Sequence, residues 1–210
     1  MATNRRNPLA LAVLVSLAER PMHPYEVGTV LRQRAKHESV KLNYGSLYGV
    51  VDSLERRGLI TPHETVREGR RPERTVYEIT DAGRIEMTDW LTDLLTTPTK
   101  EYPQFEAALC FLPALAPDDA VAHLRMRAQA LRVELAHAQA TRELVEKAKL
   151  PRIFWIEDEY RVGQREAELA YVERLADDIE SGALDGVEFW REIHDHPERV
   201  HEWHPPTDGE

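Results

Sequence analysis

A mainly helical fold in two parts is predicted by three features of the chain. Apolar residues recur at helical spacing through most of the 210 residues. One short stretch, following Gly58, alternates as paired strands do. The charge changes sign along the chain: of 27 Lys and Arg and 37 Asp and Glu, residues 1–84 hold 14 and 10, which leaves 13 and 27. A net +4 is thus joined to a net −14, and only the first part is suited to face a polyanion. The overall −10 does not oppose this, because only nearby charges act across a short Debye length. With 42% hydrophobic and 30% charged residues the chain can bury a core. One cysteine, Cys110, excludes a disulfide within the chain. No apolar run approaches the ~20 residues that cross a bilayer. Residues 9–18 read as a buried helix, not a signal peptide. The expectation is a soluble, cytoplasmic protein with no membrane partner.

Asn7 and Pro8 open the first helix, a capping side chain followed by a proline where no amide donor is lost. Leu9, Leu11, Val13, Leu14, Val15 and Leu17 make it apolar on nearly every side, hence central to a core. Pro24 opens a second helix with Val27, Val30 and Leu31 inward and Arg32, Arg34 and Lys36 outward. Asn43 caps a third, over residues 43–57, which stops at Gly58. Its wheel puts Leu47, Val50, Val51 and Leu54 on one face and Gly45, Gly49, Asp52 and Arg56 on the other. A glycine in mid-helix costs ~1 kcal/mol relative to alanine. Gly49 therefore points either to a groove wall approaching the backbone or to close helix packing. Residues 59–66 and 75–79 read as strands, the first an edge because of Pro62. Their connection carries Arg67, Arg70, Arg71 and Arg74, suited to phosphate or minor-groove contact. Three helices followed by two strands around a basic tip is the plan of a winged helix-turn-helix.

Four blocks then carry a family resemblance. Pro24-Tyr25-Glu26, Gly45-Ser46-Leu47-Tyr48, Leu54-Glu55-Arg56-Arg57-Gly58-Leu59-Ile60 and Tyr77-Glu78-Ile79-Thr80-Asp81-Ala82-Gly83 stand in the order and spacing of the PadR family of transcriptional regulators. Over residues 8–95 the chain resembles that family. The resemblance implies double-stranded DNA as partner, with the helix from Asn43 entering the major groove by its N-terminal end. It assigns contacts to Asn43, Tyr44, Ser46 and Tyr48, with Lys41 just before them. The wing would add Arg70, Arg71 or Arg74, and Arg5 or Arg6 a phosphate contact. The wheel places Tyr44 beside the apolar face, so it is also a partly buried residue. Where the family often has proline after the tyrosine of this helix, the chain has Gly49.

Thr80 caps a fourth helix with Ile85, Trp90, Leu91, Leu94 and Leu95, closing before Pro98. Residues 105–112 form a short apolar helix in which Cys110 reads as a small buried hydrophobe. Pro117, Asp118 and Asp119 open a long helix. Val121, Leu124, Ala128, Leu131, Leu135, Ala138, Arg142 and Val145 lie on a seam at steps of three and four, with one arginine interrupting an otherwise apolar heptad pattern. A second long segment, residues 157–180, carries Val162, Leu169, Val172, Ala176 and Ile179 on a similar stripe. The two seams can pair with each other or with a second copy. The resemblance favours the second copy, because family members with a long C-terminal region dimerise through such helices. It assigns Val121, Leu124, Leu131, Leu135, Val162, Leu169 and Val172 to a homodimer contact. The expected domains are residues 1–96, 97–182 and 183–210, the last a short helix and a tail holding His194, His196, His201 and His204.

No phosphate loop, CxxC or nucleophile elbow occurs, so no enzyme and no cofactor are expected. The resemblance implies a repressor that answers to a small aromatic or hydrophobic effector near the junction of the two halves. Trp90, Trp155 and Tyr160 are candidates to line that site, and core packing is the favoured explanation of them. Two other readings stay open: a winged-helix module that binds protein, and a metal-responsive regulator using the C-terminal histidines.

Overall fold

Local caps and prolines set where the helices of the first unit begin. The structure is a computed structural model and describes residues 7–66 and 74–196. Asn7 Oδ1 accepts from Leu9 N and starts α1, Pro8–Glu19. Helix α2, Pro24–Gln33, starts on His23, and α3, Tyr44–Arg56, on Asn43. Strands β1, Ile60–Val66, and β2, Arg74–Ile79, are antiparallel, from Ile60 opposite Ile79 to Val66 opposite Arg74. A bulge between Pro62 and Glu64 interrupts the register. Met22 bridges Tyr77 from the other side of β2, which leaves β1 as the edge, where Pro62 forfeits no ladder bond. The expected edge is thus found, and Arg74 stands in β2 rather than on the tip.

Helix α4, Asp81–Thr96, follows directly and comes very close to the sheet. A Cβ at Gly83 would sit 2.0 Å from the carbonyl oxygen of Leu59, so only glycine permits this approach. Thr80 fixes the same corner: its hydroxyl accepts from Gly83 N at 3.1 Å and donates to Gly58 O at 2.8 Å. The core gathers Leu9, Val13, Leu14 and Leu17 of α1 with Val27, Leu47, Val51, Leu54, Ile60 and Trp90. Each such burial contributes roughly 1.5–3 kcal/mol. Ile85, Leu91, Leu94 and Leu95, read from sequence as part of this helix's apolar set, are exposed.

The chain divides into two units between Lys100 and Glu101. The second holds α5, Gln104–Cys110; α6, Pro117–Lys147; α7, Ile156–Ser181; and α8, Val187–Asp195. Arg125 meets Asp177 and Glu180, while Arg165 meets Glu134, so α6 and α7 run antiparallel. Ala120, Leu124, Ala128 and Leu131 pack there with Val172, Ala176 and Ile179. Leu124, Leu131 and Val172 are covered by the chain's own helices, because antiparallel pairing of two matching seams needs no second copy. Val121, Leu135, Val162 and Leu169 are half-buried.

Helix α8 shares this core through Val187 and Trp190, whose indole donates to Leu115 O at 2.9 Å. Arg127 places its guanidinium 3.9 Å from the Phe105 ring centroid and pairs with Glu168, anchoring α5. Cys110 is exposed, contrary to expectation. The inward side of this segment is Phe105, Leu109 and Leu112, at i, i+4 and i+7, and Cys110 lies about 100° away from Leu109. Among the described residues no helix is long and apolar enough to cross a membrane.

Candidate nucleic-acid interface

Helix α3 buries Leu47, Val50, Val51 and Leu54 and turns its other side outward. Asn43 Oδ1 accepts from Gly45 N at 2.9 Å, which caps the helix and keeps its first turn open to solvent. No acidic residue stands in that first turn, so the positive end of the helix dipole is unopposed. Lys41, Asn43, Gly45, Ser46, Tyr48 and Gly49 are all exposed. A Cβ built on Gly49 meets nothing within 4 Å. Of the two explanations the sequence left open, close helix packing is therefore excluded among the described residues.

Tyr44 is half-buried, as the wheel indicated, and packs against the core. Its ring lies over Gly28 of α2, where a Cβ would come within 2.7 Å of Tyr44 Cε1. Tyr25 stacks on Tyr44 with centroids 5.6 Å apart and planes 19° from parallel. The Arg32 guanidinium lies 4.6 Å from the Tyr44 centroid. One turn along α3, Tyr48 meets the His23 ring edge-on at 6.4 Å and 67°. His23 Nδ1 accepts from Tyr25 N at 3.1 Å, and so caps α2 with the same ring that touches Tyr48. Sequence reasoning missed His23, Tyr25 and Arg32 as members of this site. The available signal was Gly28, a glycine in the middle of a helix.

The electrostatics follow from which cations are already paired. Arg20 is held by Glu26 and Arg34 by Glu19, each at 2.5 Å. Burial lowers the pKa of His23, and the nearby Arg74 charge adds to this, while Glu26 acts the other way. The imidazole is thereby favoured in its neutral form, the form its capping role requires. Arg74 is exposed at the start of β2. Tyr77 of the same strand donates to Glu55 of α3 at 3.1 Å, tying the base of the hairpin to the helix. Arg5, Arg6, Arg70 and Arg71 lie outside the described residues.

The remaining sequence candidates are distributed differently. Trp90 is 5% exposed in the first unit's core, with an indole N–H that has no hydrogen-bond partner among the described residues. Trp155, in the second unit, donates to Leu150 O at 3.3 Å and has Arg142 over its ring, and Tyr160 is exposed. His194 is hydrogen-bonded to Pro113 O at 2.9 Å, while His201 and His204 lie outside the described residues. Among the described residues no group of three or more His, Cys, Asp or Glu could hold a metal ion.

Comparison with known proteins agrees with this architecture. Residues 13–89 match the model of the Transcriptional regulator PadR-like family. An uncharacterized 37.1 kDa protein in transposon TN4556 of Streptomyces fradiae is 37% identical over 81 residues, which is 38% of this chain and 21% of that one. The Bacillus subtilis PadR structure in complex with operator DNA superposes with a TM-score of 0.67 at 18% identity, covering 80% of this chain and 96% of that one. The same protein in complex with p-coumaric acid gives 0.68 at 16% identity, covering 82% and 98%. At such identities the structural likeness establishes the fold, a winged helix-turn-helix followed by C-terminal helices. The family is one of transcriptional regulators, not of enzymes. Residues 13–89 of this chain are a domain of the PadR-like family of transcriptional regulators.

Proposed function

We propose that the chain is a DNA-binding transcriptional repressor that acts as a homodimer on a pseudo-palindromic operator and responds to a small effector. The observation that carries the reading is the outward face of α3. It is a capped helix N-terminus with an open first turn, flanked by exposed Lys41, Ser46, Tyr48 and Gly49. An element of about 10–12 Å diameter with this face fits a major groove about 12 Å wide. Asn43, Tyr44, Ser46 and Tyr48 read base edges or sugars, Lys41 and Arg74 meet phosphates, and Arg5, Arg6, Arg70 and Arg71 extend the phosphate contacts. Operator binding by the Bacillus subtilis protein of like fold supports this reading.

Two copies related by a two-fold axis present two α3 helices to half-sites about 10 bp apart or a multiple of it. Surface for that contact is offered by Val121, Leu135, Val162 and Leu169, the half-buried residues among those assigned to it. The complex of the Bacillus subtilis protein with p-coumaric acid supports an aromatic effector as the ligand class here. Such a ligand regulates only through different affinities for two conformations. The site of action is the cytoplasm.

The test is a titration of the purified protein against DNA from upstream of its own gene, with random DNA as control at two salt concentrations. Binding well above the random background, with log Kd rising linearly in log salt, supports the reading. Binding equal to random DNA overturns it in favour of a winged helix that contacts protein. Transcription from the same DNA in a purified system, falling on addition of the protein, tests repression.

A further inference from the structure

We propose that His23, the N-cap of α2, and Tyr25 and Arg32 within it are positioning residues that hold the rings of Tyr44 and Tyr48 for sequence-specific DNA reading. The proposal rests on the DNA-binding reading above and adds residues that do not themselves need to touch a base. Tyr44 and Tyr48 are one helical turn apart on α3 and so share one side of it. A tyrosine on an open helix face samples several rotamers and loses that freedom when it docks on DNA. Here each ring already has a fixed neighbour from α2.

Tyr44 is held three ways. Tyr25 stacks on it at 5.6 Å, and Arg32 covers it at 4.6 Å. The missing side chain of Gly28 leaves the space that the ring occupies, since a Cβ there would be 2.7 Å from Cε1. Tyr48 is met edge-on by His23. That imidazole cannot swing away without cost, because its Nδ1 accepts the Tyr25 N–H that starts α2. The stretch 23–25 therefore grips both tyrosines, His23 directly on one and Tyr25 directly on the other. Holding a contact residue in place before binding improves affinity by lowering the ordering cost. A neutral ring acting in this way leaves the number of neutralised phosphates unchanged, and hence the salt slope.

The experiment measures fluorescence anisotropy with a duplex that the unaltered protein selects from a random-sequence pool, beside a scrambled duplex, over a salt series. Y25A is expected to weaken the selected duplex by roughly tenfold, the value of one aromatic pair. Binding to the scrambled duplex and the salt slope should stay as they were. Y25F retains the ring and should restore binding, and R32Q should weaken the selected duplex at an unchanged slope. Urea unfolding checks each variant, and Y25M replaces Y25A if the alanine variant fails to fold. Three results overturn the proposal: Y25A or Y25M binding like the unaltered protein, Y25F losing as much as Y25A, or R32Q lowering the salt slope by about one. Failure of the unaltered protein to select any duplex refutes the DNA-binding reading itself, and this proposal with it.

Discussion

Gly83 and Gly49 both stand inside helices, and their surroundings give opposite expectations for the same substitution. At Gly83 an alanine Cβ meets the Leu59 carbonyl oxygen at 2.0 Å, a backbone atom that can move only if α4 retreats from the sheet. G83A should lose about 3 kcal/mol or more of stability in urea unfolding, the upper end of overpacking costs. At Gly49 the added methyl meets nothing within 4 Å. G49A should therefore stabilise the free protein by about 0.5–1 kcal/mol, by helix propensity. If a groove wall approaches this backbone, the same variant binds its selected duplex more weakly; equal binding would mean that the glycine serves no close approach.

His23 adds a pH dependence whose sign can be worked out. Its folded pKa is lowered from the ordinary 6.5 by burial and by Arg74. The unfolded chain then binds the proton more readily, so the contribution is fully present above about pH 6.5 and is lost as pH falls through the folded value. Protonation also removes the lone pair that accepts from Tyr25 N. Urea midpoints measured between pH 7.5 and 5, values chosen to bracket the ordinary histidine range, should fall for the natural chain. They should fall less for H23N, which keeps a capping oxygen without the titration.

At the scale of elements, caps explain where helices start and packing explains which faces they bury. Thr80 caps α4 and also reaches back to Gly58 O, so it joins the end of α3's turn to the start of α4. T80A should cost about 1–2 kcal/mol by urea unfolding, more than a cap with a single bond, whereas T80S should recover most of it. These corners were legible in the sequence: Asn7-Pro8, Asn43 and Thr80 each start the helix they were expected to start. His23 was not, since imidazole is an uncommon cap and shows no spacing signal. Cys110 was misread because a short apolar run does not say which of its residues turns inward. That was decided by Phe105 docking beneath Arg127.

For the whole molecule, the charge pattern separates roles: the basic stretch contains α3 and the wing, and the acidic remainder holds the α6–α7 pair. As a homodimer the protein should sediment at equilibrium with a mass of about twice 24.2 kDa at concentrations that saturate DNA. A monomer mass there, with specific binding intact, would count against the dimer. Replacing Val162 by Glu, at a half-buried seam position, should lower the dimer fraction without the loss of fold expected from charging the fully buried Val172.

The sequence by itself determined the helices, the hairpin and the basic first part, because caps, glycine stops and apolar periods act over a few neighbouring residues. It also placed Gly45, Gly49, Asp52 and Arg56 on the side of α3 opposite its apolar face. Only the tertiary structure decided what covers each seam. A stripe at steps of three and four records that a face is buried but carries no label for its partner, and the chain's own α7 and α8 turned out to fill that place for Leu124 and Leu131. The grip of α2 on Tyr44 and Tyr48 belongs to the same class: it joins residues 23–32 to residues 44–48 through ring contacts that exist only once the two helices have packed.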